Sequence, residues 1–119
     1  MFSARAKLGR ATEHLYAFNR QSQGWADSDP FVVTRESNAD GSEHIWRVTY
    51  KSHPDVIGMA LMLGDALHNL RGALDHAVYA LAVANCGKNP PDDEAKLAFP
   101  ITSEQRFFDQ AKWRIASLS

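Results

Sequence analysis

The chain has 119 residues, of which 45% are hydrophobic and 23% charged. That is enough for one domain, too short for two ordinary ones, and outside the range of global disorder. Lys and Arg number 13 against 14 Asp and Glu, a net charge of −1, which excludes a strongly basic nucleic-acid coat and a polybasic membrane binder. Cys86 is the single cysteine, so no intrachain disulfide and no Cys-rich zinc module is expected. The N-terminal stretch has no apolar run of signal-peptide length, which predicts a cytoplasmic protein with no membrane partner.

The first element expected is a helix over residues 4–22, where Leu8, Ala11, Thr12, Leu15, Phe18 and Asn19 recur at steps of three and four. Gln21 to Pro30 is polar and contains Gly24, so it reads as a loop pinned by Trp25. Phe31–Arg35 and His44–Tyr50 are β-branched and aromatic, and Asp40-Gly41 between them signals a hairpin turn. Ile45 and Arg47 are read on one side, with His44, Trp46 and Val48 not sharing a single side. A lone hairpin is marginal in water, so this one is expected to pack on the helices.

A long helix is expected from Val56 to Asn85, started by Ser52 or Asp55 with Pro54 in the first turn, and stopped at Gly87 ahead of Pro90 and Pro91. Its only charged residues are Asp65, Arg71 and Asp75, so it is expected to be central and largely buried. Pro90 to Lys96 reads as a loop, and Phe99-Pro100-Ile101 as an apolar anchor. Ser103 would cap a last helix from about Glu104 to Ile115 with Phe107, Phe108, Ala111 and Ile115 inward. The whole predicts a single mainly helical α+β domain: N-terminal helix, β-hairpin, long central helix, short C-terminal helix.

At about 100° per residue, Asp65, His68, Asn69, Arg71, Asp75 and His76 fall within an arc of roughly 160° on the central helix. Leu63, Leu67, Leu70, Leu74, Ala77 and Leu81 take the other side and read as core. Gly64 and Gly72 lie on the polar arc and invite close approach by another helix, a second copy or a ligand. Arg71 and Asp75 are spaced for an ion pair. Asp65 beside His68 would favour imidazolium.

Residues 64–76, Gly-Asp-Ala-Leu-His-Asn-Leu-Arg-Gly-Ala-Leu-Asp-His, resemble a large bacterial family with the helix motif G-D-x-L-H-N-L-R-S-A-L-D-H and no assigned activity. Phe99-Pro100-Ile101 is similar to that family's F-P-I element. Gly72 stands where the family often has Ser. The family's later L-N-x-x-D-K-H-R element has no counterpart up to Ser119, which suggests a truncated or minimal form. More loosely, Arg71 and His76 fit the R-x4-6-H hallmark of the HEPN superfamily of helical ribonucleases and nucleotide-binding proteins. That resemblance implies metal-independent RNA cleavage by a homodimer, with Arg71 holding the phosphate and His76 as general acid or base. It calls for no cofactor.

Two other readings stand beside it. Asp65, His68, Asn69, Arg71 and Asp75 form a buried polar network that fixes packing in a self-associating helical module. Alternatively, Asp65, His68 and His76 supply ligands for a metal in a helical bundle. An RNA or nucleotide partner follows mainly from the superfamily resemblance; Arg5, Lys7, Arg10 and Arg20 give the first helix a positive face, which more commonly is just a solvated face.

Overall fold

The computed structural model describes residues 2–118, so Met1 and Ser119 lie outside it. It shows the expected mainly helical α+β order: α1 (Phe2–Asp27), β1 (Phe31–Ser37), β2 (His44–Tyr50), α2 (Val56–Cys86) and α3 (Gln105–Ala111). Short 3-10 turns cover Glu94–Lys96 and Lys112–Leu118. Among the described residues no helix is long and apolar enough to cross a membrane.

Helix α1 packs along α2, and the two run antiparallel. Gln21 Nε2 donates to Asp55 Oδ2 at 3.2 Å near one end, and Lys7 Cδ lies 3.6 Å from the Cβ position of Gly72 toward the other. Ala4 and Ala11 on α1 and Ala66 on α2 are buried, so small side chains let the backbones approach closely. Asp55 caps α2 by accepting from the Gly58 amide at 2.9 Å. Its carboxylate occupies the place a Cβ on residue 58 would need, which accounts for the glycine. Asp55 thus starts one helix and ties it to the other. Asp55→Ala is expected to cost about 1 kcal/mol, read as a lower midpoint in urea unfolding. Gly87 ends α2 at φ 69°, its amide donating to the Val83 carbonyl, the left-handed stop that glycine permits.

Helix α1 runs on to Asp27 through the segment expected to be loop. Tertiary contacts outweigh its polar composition: Gln21 bonds to the α2 cap, and Trp25 docks on the base of the hairpin. The Trp25 ring meets Phe31 edge-on at 5.7 Å and Tyr50 at 6.3 Å, and its indole N–H donates to the Ser52 carbonyl. Trp25 therefore pins this junction as expected, but from within the helix. The last helix is also corrected. It begins at Gln105 with Glu104 at the cap position, makes no side-chain cap bond, and tightens into a 3-10 turn after Ala111.

The hairpin is antiparallel, with Phe31 opposite Tyr50, Val33 opposite Val48, Arg35 opposite Trp46 and Ser37 opposite His44. His44, Trp46, Val48 and Tyr50 therefore share one side, contrary to the sequence reading, because side chains alternate strictly along a strand. Phe31, Val33 and Arg35 join them, with the Arg35 guanidinium 5.8 Å from the Trp46 ring centre. Thr34, Glu36, Arg47 and Thr49 occupy the opposite side together with Val32 and Ile45, which makes that side the more polar of the two. In the turn, Ser42 donates to Asp40 and holds its carboxyl below the usual range. The hairpin does not pack on the helices beyond its base: nearly every residue in both strands is exposed.

The expectation of a buried central helix fails in the same way. Among the described residues the buried apolar side chains are Ala4, Ala11, Ala66, Val78 and Ala82, together with Pro30, Pro91 and Pro100. The body measures 81 × 32 × 17 Å, with a radius of gyration of 23.9 Å. A compact domain of this length would have about 13.5 Å. The helices form one layer, whereas a domain core needs two.

Candidate functional site

The polar arc does not form one network. Arg71 Nε donates to Asp75 Oδ2 at 3.0 Å. The other Asp75 oxygen accepts from the backbone amide of Phe99 at 2.8 Å. Asp75 therefore staples the Phe99-Pro100-Ile101 segment to α2. Asn69 turns back to donate to the Asp65 carbonyl at 2.8 Å, the local bond typical of a short polar side chain on a helix. Asp65 and His68 are exposed. No polar side chain among the described residues is buried, so the expected buried network is replaced by a half-exposed ion pair and one backbone staple.

Arg71 and His76 line separate grooves. Arg71 lies in a depression of about 230 Å³ with Phe99, Ile101, Thr102 and Arg114. His76 lines an open groove of about 690 Å³ with Asp75, Tyr79, Asn89 and Ser3. There Tyr79 donates to Asn89 Oδ1 at 3.1 Å. Asp75 stands between, its carboxylate engaged on the Arg71 side. Asp65, His68 and His76 do not converge as metal ligands: among the described residues no group of three or more His, Cys, Asp or Glu could hold a metal ion.

The feature that sequence reasoning placed in the core is on the surface. Val56, Ala60, Leu63, Leu67, Leu74 and Leu81 of α2 are exposed, Leu67 at 58% and Leu81 at 49%, and Leu70 and Ala77 are partly so. Their steps alternate four and three, the repeat of a helix seam that meets another helix. Helix α1 takes the adjoining stripe around Ala66 and leaves this one uncovered. On α1, Leu8 and Leu15 follow the buried Ala4 and Ala11 by four residues, as Leu70 follows Ala66 on α2. In an antiparallel pair of right-handed helices, these offsets fall on the same side of the layer. One face of the layer therefore carries the leucines of both helices.

Comparison with models of known families, with characterised proteins and with solved structures finds no match to this chain. Its chemistry is read from the geometry above.

Proposed function

We propose that this chain is a self-association module whose leucine face on α2 docks on a second copy. The carrying observation is surface area. The chain exposes 8815 Å², against about 6,400 Å² for a folded monomer of its mass. The excess is of the order that obligate homodimers bury per subunit, roughly 1,000–2,500 Å². An even mix of charged and apolar surface would leave a lone layer soluble, but this face is apolar along its length. The experiment is sedimentation across a dilution series. A mass twice the 13.2 kDa of one chain, held to micromolar concentration or below, supports the reading. A 13.2 kDa species throughout overturns it.

A second reading follows from His76, which opens into the larger groove beside Tyr79 and Asn89. In the HEPN-like version, Arg71 and His76 cleave RNA without metal, or bind a nucleotide. Arg71 is held by Asp75 and faces the other groove, so one copy does not present both groups to one phosphate. The expected result is no cleavage of RNA in EDTA by the wild type. Cleavage that disappears in His76→Ala, with its circular dichroism unchanged, would establish the nuclease reading, which itself calls for a homodimer.

A further inference from the structure

We infer that the second copy docks antiparallel, α2 against α2, about a two-fold axis passing between His68 and Asn69. This rests on the self-association proposed above and adds its orientation and register.

The exposed stripe is symmetric about that point. Leu67 and Leu70 are equally distant from it, as are Leu63 and Leu74, Ala60 and Ala77, and Val56 and Leu81. Reversing the helix therefore brings leucine opposite leucine, alanine opposite alanine, and valine opposite leucine at the ends. A two-fold interface must be self-complementary: residue i meets j, and j meets i. An antiparallel pair of helices achieves this by facing the two alternating seam positions on each other. This stripe does so in every layer, with the large layers at the centre and the alanine layers outside them. A parallel pair would also match each layer, Ala60 against Ala60 and Leu67 against Leu67, but would set the two helix macrodipoles side by side in the same direction, which the antiparallel pair avoids.

The flanks agree with this register. On the side of the seam away from α1, the next open positions are Ile57, Gly64 and Arg71, while Val78 is buried within its own chain. Reversal sets Arg71 near the partner's Gly64. No atom lies within 4 Å of where a Cβ on Gly64 would sit, so the glycine leaves room for the arginine. Asp75 has already neutralised Arg71, which lowers the repulsion between the two arginines beside the axis. On the α1 side, Leu8 and Leu15 extend the apolar surface beyond α2. In this pairing Arg71 and the partner's His76 lie roughly 15 Å apart along the helix axis, and His76 is on the polar arc away from the leucine seam, so the interface creates no joint Arg71–His76 cleft.

Native Cys86 is exposed and provides the test in the unaltered chain. A spin label on Cys86 should report a separation of about 50 Å between copies, since the two residues stand at opposite ends of the paired helices. A distance below about 25 Å means a parallel pair and overturns the inference while leaving self-association intact. A second test uses Cys86→Ser chains carrying either Ala60→Cys or Ala77→Cys. Mild oxidation of the mixture should give at least ten times more disulfide-linked dimer than either variant alone. Linking in the single-variant samples, or a dimer that links in none of them, overturns the register. A label signal from isolated spins, with a 13.2 kDa mass, removes the proposed function itself.

Discussion

Leu67→Glu will convert the self-associated protein to a 13.2 kDa species at concentrations where the wild type is paired. Leu67 is 58% exposed in one copy, so the single chain loses little by the change. In the pair it sits next to the two-fold axis, and each substitution acts twice. Fully burying one leucine side chain is worth about 1.5–3 kcal/mol; with 58% of Leu67 left to bury, the loss is about 2–3.5 kcal/mol per dimer, or roughly a 30- to 400-fold rise in Kd. A carboxylate forced into that seam adds a desolvation penalty. Thr34→Glu, on the polar side of the hairpin, should leave the mass unchanged. Sedimentation of the two variants beside the wild type reads the difference. An unchanged mass in Leu67→Glu would place the interface elsewhere.

The second large effect concerns Asp75. Its two oxygens receive the Arg71 guanidinium and the Phe99 amide. Asp75→Ala leaves that amide without its acceptor and frees Arg71. Hydrogen bonds to charged groups contribute about 1.5–3 kcal/mol, and partial exposure of this pair brings the expected cost nearer to 1–2 kcal/mol. The damage should be local. Amide exchange at Phe99 should quicken by about ten-fold or more, and proteolysis between Gly87 and Glu104 should accelerate, while helical circular dichroism from α1 and α2 persists. Asp75→Asn keeps an oxygen for Phe99 but loses the charge that holds Arg71, so it should protect Phe99 better than alanine does. Equal exchange in both variants would show that the ion pair, rather than the backbone bond, holds the segment.

These two residues also show where the sequence was legible. Asp75 was marked by its spacing from Arg71, and the ion pair is present because i and i+4 side chains meet on any α-helix. Its bond to the Phe99 amide was not legible, because nothing local tells which distant backbone will arrive. Leu67 was read correctly as part of an apolar stripe and wrongly as core. Periodicity says which residues share a face; it does not say whether a face is covered. The alanines were the overlooked signal, since Ala4, Ala11 and Ala66 mark where two helices come closest and so which stripe of α2 is already taken.

The sequence by itself determined the order and nature of the elements: two long helices, a hairpin between them and a short helix after them. Local rules suffice for this, namely spacing, the Asp55 cap, the Gly87 stop and the turn around Gly41. The tertiary structure alone decided that α1 extends to Asp27, that the register brings Phe31 and Val33 onto the side of Trp46, Val48 and Tyr50, and that Arg71 and His76 line separate grooves. It also decided that the leucines of α2 face outward. The reason is physical: a helix with apolar residues on two stripes can satisfy only one of them with α1, and the closer packing of small side chains took the alanine stripe.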